Sequence, residues 1–136
     1  MPLSPARADL ARDESSVAWM RAVHRAAADL RRGFPVVLSG PAPLVLLAAE
    51  TAGDHGLKEF TELAAGPAVM LLAATRAAAI LHRPVRPADA AVALRLTPAL
   101  LAPLALQALA DPTLDQTRAE TPISVPTPDA ASAALT

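Results

Sequence analysis

The sequence predicts a small α/β domain, with α+β as the alternative: a mixed β-sheet of three to four strands packed with about four helices. Segments whose apolar residues recur at three- and four-residue steps alternate with short, continuous apolar runs. Glycine and proline punctuate the joins between them. Two of the runs, "VVL" and "LVLLAA", follow one another across "SGPAP" with no helix between, which favours a mixed sheet over a purely parallel one.

Residues 1–14, "MPLSPARADLARDE", are polar and are expected to form a disordered tail. Ser15-Ser16 offers a cap, and Val17, Met20, Val23, Ala27 and Leu30 trace one apolar stripe of a helix. Arg31 and Arg32 suit the negative end of its dipole, and Gly33 supplies the left-handed stop. Residues 36–38 and 44–49 read as buried strands. Leucine and alanine would suit a helix in the second, but its length, the preceding proline and Thr51-Ala52-Gly53 favour a strand.

Asp54 caps a short helix to about residue 65, with Leu57, Phe60, Leu63 and Ala64 on one side, and Gly66-Pro67 ends it. Residues 68–72 form a third strand and 73–82 a helix stopped by Pro84; 83–91 are a loop, and 92–96 a fourth strand. Thr97 caps a last helix, with Pro98 at its first position, ending near residue 110. The domain therefore spans residues 15–110. From Asp111 the segment "DPTLDQTRAETPISVPTPD" carries four prolines and reads as a stiff linker. It leads to "AASAALT", an unfinished helix capped by Asp129, so residues 111–136 suggest a fragment of a longer protein, or else a disordered tail.

Composition narrows the chemistry. The chain has 136 residues, 53% of them hydrophobic but only 2% aromatic, so an alanine- and leucine-rich core should be thin. Twelve basic residues against 13 acidic ones give a net charge of −1, which argues against nucleic acid or an anionic membrane as partner. Without cysteine there is no disulfide and no thiolate zinc site. The first fourteen residues lack the apolar core of a secretory signal, and no apolar run reaches membrane-spanning length, so the expected location is the cytoplasm.

No catalytic motif stands out. His24, His55 and His82 lie on different elements without metal-ligand spacing, and each reads best as a surface or helix-end residue. Glu59 and Glu62 could act as an acid–base pair, but a solvated helix face is the simpler reading. Arg21, Arg25 and Arg32 form a basic strip that could hold a phosphate, although Asp29 beside it favours an ordinary exposed face. Ser39 and Gly40 in "SGPAP" are too few for a phosphate cradle, and the loop has no carboxylate for Mg²⁺.

Several stretches in order, "AVHRAAADLRRGFPVVL", "LVLLAAE" and "FTELAAGPAVMLLAATRAAAILHRP", resemble the first third of 3,4-dihydroxy-2-butanone 4-phosphate synthase. The resemblance covers residues 17–84. Leu30-Arg31-Arg32-Gly33 is similar to that family's L-R-x-G turn, Ala48-Ala49-Glu50 to the end of its second strand, and Leu81 to Pro84 to the close of a later helix. The family's acidic loop, D-D-x-x-R-E-N-E-G-D, is replaced here by Ser39-Gly40-Pro41-Ala42-Pro43. Glu50 is then the only carboxylate that carries over, a weak candidate for binding, and one acid cannot assemble a divalent-metal site.

Because that family is often fused ahead of GTP cyclohydrolase II, the resemblance implies a truncated, non-catalytic synthase-like N-terminal domain of a riboflavin-biosynthesis protein. Such a domain would have no catalytic or metal residues and no cofactor in this chain. Its role would be structural, packing against the catalytic domain of the same polypeptide or forming a homodimer, and the hydrolase chemistry would belong to the longer protein. Two rivals are a diverged sugar-phosphate enzyme using Glu50, His55 and nearby arginines, and a free-standing interaction module docking through the helix over residues 98–110.

Overall fold

A computed structural model describes residues 5–64, 66–85, 91–118 and 120–127, with side chains from residue 12 onward. Helices and strands mix in one chain, as the sequence predicts, but the strands form two antiparallel sheets rather than one. The order is α1 (Pro5–Arg31), β1 (Val36–Leu38), β2 (Leu44–Leu46), α2 (Asp54–Leu63), β3 (Val69–Ala73), α3 (Ala74–Leu81), β4 (Ala91–Arg95), a 3₁₀ turn (Pro98–Leu100), α4 (Pro103–Ala110) and β5 (Ile123–Val125).

α1 starts at Pro5, not at Ser15, so the segment expected as a disordered tail is helical from Pro5 onward and Ser15-Ser16 lies inside the helix. Its C-terminus ends as expected. Gly33 adopts φ +80°, its amide donates to the Leu30 carbonyl, and the Phe34 amide donates to the Asp29 carbonyl. These are the two bonds of a Schellman stop, and they satisfy carbonyls that the last turn would otherwise leave open.

β1 and β2 pair as a hairpin, Val36 opposite Leu46 and Leu38 opposite Leu44, with residues 39–43 as an exposed connection. In the second sheet β4 lies between β3 and β5. Five residue pairs join β3 to β4, from Val69–Arg95 to Ala73–Ala91, and three join β4 to β5. β5 falls within the stretch expected as a stiff linker. Pro122 and Pro126 flank it, which suits a short edge strand because proline cannot donate to a ladder. The unfinished helix at Asp129 lies outside the described residues.

Three helix starts differ from expectation. Gly53, not Asp54, is the residue before α2, and Asp54 is the first helical residue with no side-chain cap. Thr97 precedes a single 3₁₀ turn, again without a side-chain cap, and α4 begins afresh at Pro103. The helix expected over residues 98–110 is therefore broken, since Pro103 has no amide to continue the earlier turn. α3 ends on His82, which takes the left-handed conformation, φ 54° and ψ 35°, with Pro84 just beyond.

The main core gathers Met70, Ala77, Ile80, Leu94, Leu100 and Leu109, between the β3–β4 face and α3 and α4. A smaller cluster of Ala52, Leu57 and Leu106 sits beneath α2 and α4. Alanine fills four buried positions, Ala52, Ala74, Ala77 and Ala93, so the core is thin in side-chain bulk.

Candidate functional site

The turn after β2 is where the chain's elements converge. Gly33 and Gly56 meet backbone to backbone there: a Cβ on Gly56 would stand 1.8 Å from the Gly33 carbonyl oxygen, and one on Gly33 would stand 2.5 Å from that of Thr51. The Thr51 hydroxyl donates to the Leu30 carbonyl at 2.6 Å, fastening the end of α1. From the other side Gln107 of α4 donates its amide to the Ala52 carbonyl at 3.1 Å. The joint is built from main chain and small residues.

Glu50 sits on the rim of this joint and is exposed; among the described residues it makes no hydrogen bond or ion pair. His55 is exposed in the first turn of α2, its ring edge-on to Phe34 with centroids 6.3 Å apart. His24, Arg25, Asp29 and Arg32 border an open hollow of ≈ 460 Å³ along α1. Arg21 is exposed on the same helix, and His82 is an exposed helix end. Glu62 is 3.9 Å from Lys58, one turn back, so the structure pairs it with a lysine rather than with Glu59. Among the described residues, no three His, Asp or Glu side chains gather closely enough to hold a metal ion. No helix among them is long and apolar enough to cross a membrane.

A polar knot that the sequence reading missed lies beside α4. Arg76, the one charged residue of α3, donates from Nε to the Leu109 carbonyl at 2.8 Å and from Nη2 to the Ala108 carbonyl at 2.9 Å. It thereby satisfies the open carbonyls at the C-terminus of α4 and favours that end of the dipole. Nη2 also donates to Gln116 Oε1 at 2.7 Å, and Gln116 Nε2 donates to the Ala108 and Leu114 carbonyls. Two turns follow along the chain. The Thr113 hydroxyl and amide donate to Asp111 and, with the nearby Arg76 charge, hold its carboxyl below the usual range. The Thr117 amide and hydroxyl do the same for Asp115. A lone arginine in an alanine-rich helix was the only signal for this knot.

Between the knot and α4 runs a cleft of ≈ 450 Å³, walled by Leu104, Ala108 and Leu114 and rimmed by Asp115, Arg118 and Glu120. Leu104 is 80% exposed there, whereas Leu106 and Leu109 on the same helix are buried.

The largest departure from the sequence reading is the apolar stripe of α1. Val17, Met20 and Val23 belong to the stripe that the sequence traces along one helix face, yet they are 48%, 51% and 46% exposed, and Trp19 is 68% exposed. Residues 12–25 are exposed on every face of the helix; cover begins only at Ala26. Phe34, Val37 and Leu38, at and after the end of α1, are also exposed. No family model, curated protein or solved structure matches the chain.

Proposed function

We propose that this chain is a non-catalytic, synthase-like interaction domain of a cytoplasmic riboflavin-biosynthesis protein of the GTP cyclohydrolase II type. It acts by holding a protein surface against α1. The observation that carries this reading is the exposed part of the helix: four large apolar side chains within seven residues, 46–68% exposed, on a stretch that nothing among the described residues covers. Contiguous apolar surface of that kind marks a protein contact more often than a catalytic one.

The synthase-like part of the reading draws support from the element order α1-β1-β2-α2-β3-α3 across residues 17–84 and from the left-handed Gly33 that closes the L-R-x-G turn. The hairpin connection that replaces the family's acidic loop is exposed and carries no carboxylate. Glu50 is left to act alone, and a hard divalent cation needs several oxygen ligands.

The test uses the 136-residue chain itself, incubated with ribulose 5-phosphate and Mg²⁺ and followed for product. The expected result is no turnover above the protein-free rate and no rise in melting temperature with pentose phosphates. Turnover, or a saturable thermal shift with one of those sugars, overturns the reading in favour of a diverged enzyme.

A further inference from the structure

We propose that residues 120–127 form a releasable strap, which lifts off β4 as one unit while the β3–β4 pair and the core stay folded. The strap stands apart from α1 and opens whatever α1 contacts. β5 lies within it and pairs with β4 over three positions, against five between β3 and β4. Ile123 is 66% exposed, and Pro122 is the one buried residue of the strap. On β4, by contrast, Val92, Ala93 and Leu94 are all buried. Among the described residues, a single side-chain hydrogen bond ties the strap to the rest: the Thr97 hydroxyl donates to Glu120 Oε2. The Thr97 side chain caps no helix end, so this clasp is its whole part. A segment with so few buried apolar contacts opens at a free energy below that of global unfolding.

The ladder makes such a release readable residue by residue. The Leu96 amide donates to the Ala68 carbonyl, which continues the β3–β4 register by one pair. Antiparallel ladders alternate, so the amides of Leu94 and Val92 also face β3, while those of Ala93 and Arg95 face β5. Ala93 stands opposite Val125 and Arg95 opposite Ile123. Release therefore bares Ala93 and Arg95 and leaves Leu94 and Val92 covered. It has two consequences. The edge of β4 becomes open to pairing, which the strap otherwise prevents. Glu120 also borders the cleft beside α4, so that part of the rim leaves with the strap.

The test is amide hydrogen exchange of the folded 136-residue chain, read by NMR at single residues. Ala93, Arg95, Ile123 and Val125 are expected to share one opening equilibrium. After correction for intrinsic rates they should exchange about a hundredfold faster than Leu94 and Val92. Thr97→Val removes the clasp hydroxyl and keeps a β-branched side chain. It should speed those four amides together by about fivefold and leave Leu94 unchanged. Equal protection of all the β4 amides overturns the proposal, because strap and sheet would then open only together. So does a gradient from Val125 and Ala93 down to Ile123 and Arg95, which is fraying from the Pro126 side. A Thr97→Val variant that moves none of the four, or moves Leu94 equally, overturns it as well.

Discussion

Replacing Gly56 by alanine sets local propensity against tertiary packing, and the structure decides the sign. Gly56 lies inside α2 with an ordinary helical backbone, so propensity alone makes Gly56→Ala stabilising by about 1 kcal/mol. The joint at Gly33 opposes it. The new methyl carbon would stand 1.8 Å from the Gly33 carbonyl oxygen, a main-chain atom that cannot rotate away. Ordinary contact needs the two segments to part by roughly 1.6 Å. Parting them strains the Thr51–Leu30 hydrogen bond, worth about 1 kcal/mol, and opens the packing around Ala52 and Leu57. Overpacking of this kind costs about 1–3 kcal/mol. With the strained hydrogen bond added and the propensity gain subtracted, the variant should lose about 2 kcal/mol, a large share of a typical domain's total. At about 3–6 °C per kcal/mol for a chain of this size, its melting temperature should fall by roughly 10 °C. Thermal and urea unfolding followed by circular dichroism measure both quantities. Gly40→Ala is the control, because no atom lies within 4 Å of its Cβ position; it should change stability by no more than about 0.5 kcal/mol. A higher melting temperature for Gly56→Ala would refute the joint.

Two further outcomes follow from the knot beside α4. Arg76→Met removes three hydrogen bonds and leaves the Leu109 and Ala108 carbonyls without this donor, so urea unfolding should show a loss of about 2 kcal/mol; an unchanged midpoint would mean that the arginine caps nothing. Arg76→Lys should recover only part of it, since an ammonium cannot reach both carbonyls with a fixed fork. For Asp111 the folded carboxyl is held below its ordinary value, chiefly by the Thr113 hydroxyl. Its contribution is therefore complete above the usual carboxylate range and is lost as pH falls through the lowered folded value. Asp111→Ala should melt below the wild type at neutral pH, with the gap closing on acidification; a gap that persists in acid would refute the assignment.

The candidate site divides in the same way as the fold. Gly33 was readable as a left-handed stop because a Schellman turn is specified by the few residues around it. That Gly33 also receives Gly56 was not readable, because the approach joins segments 23 residues apart. The sequence puts Glu50 at the end of the second strand, but that strand stops at Leu46, and Glu50 stands exposed in the turn beyond it without a neighbour to work with. The Arg76–Gln116 contact spans 40 residues, and no periodicity or cap announces it.

By itself the sequence determined the succession of helices and strands through β4 and the stops at Gly33 and before Pro84, because helical periodicity, glycine stops and proline breaks act over one or two turns of chain. Tertiary structure decided the rest. The Pro-rich stretch after Asp111 yields a strand only because β4 presents an open edge to residues 123–125. The stripe of α1 is as apolar as a core stripe, yet nothing else in the described chain folds back to cover residues 12–25. Apolar periodicity states that a face can be buried; what buries it depends on surface supplied from elsewhere, and no local rule contains that information.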